Sequence, residues 1–386
     1  MTKYFERLRN AQASLSGSGV LEAERLKNYE VSSGIYRING GDTMVGVARQ
    51  MRIVFYLLNL YAQDTGNVLI LGESGTGKEL AAKSLHYNGP RYNPRVDNFV
   101  VINCSSIPES LIESELFGYT RGAFTGASIT GRLGAFQRAA GGTIVLDEIA
   151  DMPFHLQPRL LRVVEDKKIK KVGSDDYVNM SNTKIVASTN QDLVSLVRAG
   201  KFRHDLLQRL SVLPLYLPTL LERGELEIIS LVNFFASGGI EPSDAVSSET
   251  ISTILRLNLP GNVRTLENLI KQAKVLGKGM VSRDSIMQAV PYIEAQDAAS
   301  PFSYEAAYAQ ETVTRHSSET AQNLLDNGNM NNFPNTLNLE ALETWAISQA
   351  MLKSSGNKSL ARKLLGVTGR VLDYSIDKRK AKIVEE

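Results

Sequence analysis

The stretch Val68-Leu69-Ile70-Leu71-Gly72-Glu73-Ser74-Gly75-Thr76-Gly77-Lys78-Glu79 constrains this chain most strongly. It reads as a short apolar strand, a glycine-rich loop and the start of a helix. The order matches the phosphate-binding pattern G-x-x-x-x-G-K-[ST] at every position but the last, where Glu79 stands in place of Ser or Thr. Gly72, Gly75 and Gly77 let the backbone turn its N–H groups inward around phosphate oxygens. The helix beginning near Lys78 points the positive end of its dipole at the same anion. Lys78 would reach the β- and γ-phosphates, with Thr76 and Glu79 close by.

Four further apolar runs follow the same grammar: Phe99–Ile102 ending in Asn103, Thr143–Leu146 ending in Asp147-Glu148, Lys184–Ser188 ending in Thr189-Asn190, and Val212–Leu217. Apolar strands alternating with helical stretches predict an α/β fold, a parallel sheet covered on both faces. Polar residues at the carboxyl ends of such strands are where ligands bind. Before the loop, Val47, Met51, Val54, Leu58 and Tyr61 recur at steps of four and three and predict a helix within Met44–Ala62. From Glu225 to Tyr292 helical patterns dominate. Ala295–Asn338 is polar and rich in Ser, Asn, Ala and Gln, a linker composition. The expected division is a short tail over 1–41 and an α/β subdomain over 42–222. A helical subdomain over 223–294, a linker over 295–337 and a terminal helical domain over 338–386 complete it.

Asp147 and Glu148 end an apolar strand, so they suit a Mg²⁺ ligand and a base that polarises the attacking water. Phosphoryl transfer needs charge neutralisation and positioning more than covalent chemistry. Asn190 would sense the γ-phosphate or align the water, and Asn103 could hydrogen-bond Glu148 in an idle state. Arg203 and Arg209 could stabilise transition-state charge on a neighbouring subunit's nucleotide, which requires a closed ring. Arg264 could report the nucleotide's state to the helical subdomain.

The net charge of +2 is too small for global attraction to nucleic acid, so any such binding needs a local patch. The single cysteine, Cys104, allows no disulfide within the chain. Met1–Asn10 lacks a signal-peptide core, and no apolar run approaches the about 20 residues of a membrane span. The expectation is a soluble cytoplasmic protein without membrane partners.

Glu115-Leu116-Phe117-Gly118-Tyr119 followed by Gly122-Ala123-Phe124-Thr125-Gly126-Ala127 resembles the ELFGH…GAFTGA signature of bacterial enhancer-binding proteins. These are the sigma-54-dependent transcriptional activators of the AAA+ class. GESGTGKE at Gly72–Glu79, GGTIVLDEIADM at Gly141–Met152, FRHDLLQRL at Phe202–Leu210 and LPGNVRTLEN at Leu259–Asn268 extend the resemblance over residues 42 to 290. It implies an AAA+ P-loop domain with a small helical lid, binding ATP and Mg²⁺. Residues 72–79, the run Ala139-Ala140-Gly141-Gly142-Thr143-Ile144-Val145-Leu146 and Arg264 would contact nucleotide, with Asp147 holding the metal. Asn103 would be a switch asparagine, Asn190 a sensor, and Arg203 and Arg209 the arginines acting in trans. Gly122–Ala127 would form the tip of a mobile loop contacting sigma-54, with Phe124 and Thr125 making the key contact. Small residues around one aromatic give a flexible loop with an apolar tip that needs a partner. Glu79 is normal in this family. Tyr119 in place of His, Leu259 in place of Trp, and the run Thr219–Arg223 depart from its pattern.

In the tail, Lys358–Leu365 reads as a helix closed by Gly366, and Thr368 can cap another running to about Lys380. This is helix-turn-helix grammar and resembles the family's Fis-like domain. Lys358, Thr368, Arg370, Tyr374, Lys378 and Arg379 are the candidate DNA contacts. The expected protein binds upstream enhancer DNA, assembles a ring, expected to be a hexamer, and uses ATP hydrolysis to remodel closed sigma-54 RNA polymerase. A remodelling ATPase with another target is the alternative. Residues 1–40 are shorter than the roughly 100 residues of a usual sensor domain, so control is expected from expression level or a separate regulatory protein.

Overall fold

The computed structural model describes residues 3–15, 23, 25–96, 98–123, 130–238 and 246–297. The helix-turn-helix segment and all but the start of the linker lie outside the described residues. Helix α1 (Lys3–Ser14) precedes an antiparallel sheet of β1 (Tyr29–Glu30), β2 (Ile35–Arg37) and β3 (Thr43–Val45). Next come α2 (Arg49–Gln63), β4 (Val68–Leu71), α3 (Lys78–Tyr87), β5 (Phe99–Asn103) and α4 (Glu109–Phe117). The pair β6 (Gly118–Tyr119) and β7 (Arg132–Leu133) leads to α5 (Ala135–Arg138), β8 (Thr143–Asp147) and α6 (Gln157–Asp166). The pair β9 (Lys168–Lys170) and β10 (Tyr177–Asn179) is followed by β11 (Lys184–Thr189), α7 (Leu193–Arg198), α8 (His204–Leu210) and β12 (Leu213–Tyr216). Helices α9 (Leu220–Arg223), α10 (Glu225–Ala236), α11 (Ser248–Leu255), α12 (Asn262–Leu276) and α13 (Arg283–Asp297) close the described chain.

All five apolar runs enter one parallel sheet, in the order β12-β4-β11-β8-β5. Alternation along the strands divides the core in two. Leu69, Leu71, Ile144, Leu146, Ile185 and Ala187 pack against α4 to α8. Val68, Ile70, Val145, Val186 and Leu215 pack against α2 and α3. Strands buried on both faces explain why the runs are continuously apolar. The helices α10 to α13 enclose a separate core around Leu231, Ile254, Leu266, Ile270 and Ile286.

Two expectations change. The helix within Met44–Ala62 begins only at Arg49, because Thr43–Val45 pairs with β2 instead. The tail expected over 1–41 carries structure that belongs to the α/β core. Tyr36 is fully buried and stacks on Phe55 of α2, with ring centroids 4.6 Å apart. Val45 joins the core of the helical subdomain. The strands are two or three residues long, too short for any periodicity to show.

Buried polar groups tie element ends together. Lys184 is fully buried, and its ammonium donates to the carbonyls of Tyr61, Asp64 and Gly66, closing the carboxyl end of α2. Burial pushes its pKa down to about 8. Helix α1 docks on the sheet's edge strand. The Gln12 amide donates to the Tyr216 carbonyl and accepts from the Tyr216 N–H, both at 3.0 Å, as an added strand would. Arg9 pairs with Glu222 at 2.6 Å, and Tyr216 Oη donates to the same carboxylate. In Gln12→Ala, loss of two buried hydrogen bonds should cost about 1–2 kcal/mol. Urea unfolding would read that loss, and proteolysis within residues 1–24 should accelerate.

Candidate active site

The loop Gly72–Gly77 leaves β4 and turns into α3. Gly75 and Gly77 have φ of 75° and 105°, a region that favours glycine. The strand order sets the neighbours: β11 lies beside β4, and β8 beside β11. The ends of β8 and β11 therefore open next to the loop. This is the crevice where a parallel α/β sheet binds ligands.

Lys78 is buried and donates to the carbonyls of Gly72, at 2.9 Å, and Glu73, at 3.2 Å. Its ammonium lies 4.0 Å from Glu148 Oε1. Burial lowers the Lys78 pKa, opposed by Glu148 and Asp147. Burial also raises that of Glu148, opposed by Lys78 and the Asn190 N–H. Glu148 stands at φ 47°, ψ 52°, a left-handed conformation that costs a non-glycine residue about 1–3 kcal/mol. The turn carries the carboxylate toward β11, where the Asn190 N–H donates to Oε2 at 3.4 Å.

Asp147 is gripped from both sides. Ser188 Oγ donates to Oδ1 at 2.8 Å and Asn103 Nδ2 to Oδ2 at 3.2 Å. This corrects the expectation for Asn103, which contacts Asp147 and not Glu148. Register is the reason: Asn103 and Asp147 are direct partners across β5 and β8, while Glu148 has already turned away. Beside them Cys104 is buried, and burial with the Asp147 charge pushes its thiol up to about 12.

Several other expected residues stand apart. Ala139–Gly142 and Thr143 lie at the amino end of β8, about 13 Å from the Asp147 end at the usual rise per residue. There the Gly142 carbonyl accepts from the Lys184 N–H, and Thr143 Oγ1 bonds His86 at 3.0 Å. Ile144, Val145 and Leu146 are core residues. Glu79 is exposed and pairs with Lys83 on the outside of α3. Thr76 is buried, its hydroxyl donating to the Glu73 carbonyl at 2.8 Å. Arg203 and Arg209 pair with Asp205 and Glu165 at the surface, both at 2.7 Å. Of the expected tip, Gly122 and Ala123 are among the described residues, whereas Phe124, Thr125, Gly126 and Ala127 lie outside them. So do Lys358, Thr368, Arg370, Tyr374, Lys378 and Arg379.

The helical subdomain closes the site from above, through two residues that the sequence did not single out. Asn262, at φ 54° and buried, donates to the Ser74 carbonyl at 3.0 Å and to Glu73 Oε2 at 3.2 Å. Its side-chain oxygen Oδ1 accepts from the Leu220 N–H. The Val263 N–H donates to the Gly75 carbonyl at 3.1 Å, and Arg264 reaches Ser74 Oγ at 3.4 Å. The contact is so close that a Cβ on Gly75 would fall 2.0 Å from the Gly261 carbonyl oxygen. Arg223, almost fully buried, donates to the Thr76 carbonyl at 2.6 Å, the Pro218 carbonyl at 3.0 Å and Glu227 at 3.4 Å. Glu227 in turn accepts from the N–H groups of Val47 and Ala48. The only sequence signal was an Arg four residues before a Glu, and the two fall on separate helices, α9 and α10. Arg223→Met leaves a buried carboxylate without its counter-charge and should cost about 3–5 kcal/mol in a denaturant titration.

A profile of the "Sigma-54 interaction domain" matches residues 44–216. The chain is 35% identical over 383 residues to the anaerobic nitric oxide reductase transcription regulator NorR of Vibrio vulnificus, covering 94% of this chain and 73% of that one. It is 38% identical over 311 residues to the formate hydrogenlyase transcriptional activator FhlA of Escherichia coli, covering 78% of this chain and 44% of that one. Among solved structures, NtrX from Brucella abortus in complex with ATP is similar with a TM-score of 0.55 and 26% identity, over 89% of this chain and 70% of that one. With the motif loop, the paired carboxylates and the docked lid in one crevice, these matches place the chain in the family of sigma-54-dependent transcriptional regulators.

Proposed function

We propose that the chain binds ATP at Gly72–Lys78 and hydrolyses it to remodel the closed complex of sigma-54 RNA polymerase. The observation that carries this reading is the placement of Glu148 and Asp147 beside Lys78, under the lid helix α12. Lys78 and the loop N–H groups suit the phosphates, and Arg264 approaches the same loop from the lid. Glu148, raised in pKa, is the base that takes a proton from the attacking water. Asn190 keeps that carboxylate aimed through its N–H.

The donor set fits Mg²⁺. Asp147 offers a hard carboxylate whose two oxygens accept from the neutral donors Asn103 and Ser188, a set that suits a divalent cation. Among the described residues no cluster of three or more His, Cys, Asp or Glu forms a metal cage. One carboxylate sharing the ion with phosphate oxygens and water is the usual Mg²⁺ arrangement. When bound, the ion supplies charge neutralisation on the phosphates.

Arg203 and Arg209 lie at the surface, a position that supports their reaching a neighbouring subunit's nucleotide in a ring, which we take to be a hexamer. The loop through Phe124 and Thr125 contacts sigma-54, and the segment from Lys358 to Arg379 binds upstream enhancer DNA. Among the described residues no helix is long and apolar enough to cross a membrane.

Glu148→Gln should keep nucleotide binding while turnover falls at least about 100-fold. In the native chain the acid limb of the turnover profile should lie above the ordinary carboxylate range. The stability effect has a definite sign. A carboxyl group whose folded pKa is raised loses its stabilising contribution as pH rises through that pKa, so Glu148→Gln should melt no lower than the native chain at pH 8. For the loop, the purified chain should form a complex with sigma-54 and ADP–aluminium fluoride on a native gel. Phe124→Ala should abolish that complex while turnover persists; a retained complex would sink the assignment.

A further inference from the structure

Helix α6 and the β9–β10 pair wall a groove of about 560 Å³ on the same subdomain as the nucleotide loop. Arg159, Arg162, Lys168, Lys170 and Lys171 line it, and none of its described lining residues is acidic. Two of these cations are already engaged. Arg159 lies 4.2 Å over the Phe117 ring and bonds Glu113, and Lys170 pairs with Asp175 at 2.7 Å. Among the described residues no ion pair takes up Arg162, Lys168 or Lys171. The whole chain carries only +2, so this concentration of charge is local. Tyr177, 65% exposed, presents its ring at the rim.

The groove is fastened to the stem of the Phe124 loop. The Val172 N–H donates to the Gly118 carbonyl and the Thr120 N–H to the Val172 carbonyl, both at 3.0 Å. Thr120 Oγ1 donates to the Gly173 carbonyl at 2.9 Å. A Cβ on Gly173 would fall 2.9 Å from the Cβ of Ala123, so the segment leading to the tip rests on the groove's wall.

We propose that this groove binds the sugar–phosphate backbone of DNA beside the place where the Phe124 loop engages sigma-54. The location rests on that assignment of the loop; the binding does not. Three cations without counter-charges, spread over a helix and a hairpin, match an anion that repeats along a strand. Along each strand of a duplex a phosphate recurs every about 3.4 Å, and cations beside an exposed aromatic ring are the combination that holds a nucleic-acid strand. That combination favours DNA over an acidic peptide, which brings no base to stack. Contacts to the sugar–phosphate backbone carry no sequence information and serve position. The Tyr177 ring offers a surface on which a base of an opened strand can stack.

The test places p-benzoyl-phenylalanine at position 177 of the full chain and irradiates it with sigma-54 RNA polymerase on an end-labelled promoter fragment. Labelled DNA should crosslink, and the crosslink should fall at least tenfold in the triple variant Arg162→Ala, Lys168→Ala, Lys171→Ala. DNA-free nucleotide turnover should be unchanged. On a random-sequence duplex, the triple variant should lower the slope of log Kobs against log salt by about 2.7, at about 0.9 per cation. Should the triple variant fail to fold, Lys168→Gln alone should lower the slope by about 0.9. A crosslink only to sigma-54, only to a second copy of the chain, or to nothing overturns the proposal. Because the gel complex with sigma-54 is scored separately, failure of the groove and failure of the loop assignment give different patterns.

Discussion

The Arg223 guanidinium is the contact on which the rest of the molecule converges. It is buried where three parts meet: the nucleotide loop through Thr76, the connection between subdomains through Pro218, and the lid through Glu227. Burial pulls both Arg223 and Glu227 toward their neutral forms, and their mutual attraction pulls back. The N–H groups of Val47 and Ala48 add to the hold on Glu227. An apolar pair of the same volume could fill this space. It could not join two backbone carbonyls and two N–H groups from three separate segments, and a buried carbonyl left without a donor is costly.

The lid is thereby coupled to the loop by geometry as well as charge. Asn262, in its left-handed conformation, sends its side-chain Nδ2 to Glu73 and Ser74 while Oδ1 of the same side chain holds the start of α9. Gly75 has no room for a side chain against Gly261. A shift of the loop by a fraction of an ångström must therefore move α12. Packed elements pass on small displacements because they do not compress. At the far side, α1 covers the edge strand and bonds Glu222 in the turn before Arg223, so the N-terminal segment leans on the same connection.

Much of this was legible in the sequence, for identifiable reasons. The five core strands announced themselves because both of their faces are buried, and the carboxylates because they end such a strand. The placement of Asp147, Glu148, Lys78 and Asn190 followed from the phosphate-loop pattern and from polar residues standing at the carboxyl ends of apolar strands. The β1–β3 sheet did not announce itself, being too short for a period. Asn103 was paired with the wrong carboxylate, since register across β5 and β8 is not written in either strand. The run from Ala139 to Leu146 was assigned to the nucleotide because it sits in a recognisable motif. Only the motif's end reaches the crevice, while its start lies at the opposite, amino end of β8. Arg223 and Asn262 bond residues 147 and 188 or more positions away, and no local pattern encodes such contacts.

Cys104 has a practical consequence. It is the only cysteine in the chain, it is buried, and its thiol is held near a pKa of about 12 beside Asp147. Only a thiolate attacks maleimides or iodoacetamides, so at neutral pH this sulfur is nearly silent toward them. The native sequence is in effect ready for site-specific labelling. A cysteine introduced on the lid and another on the loop stem could carry a fluorophore pair without first removing Cys104.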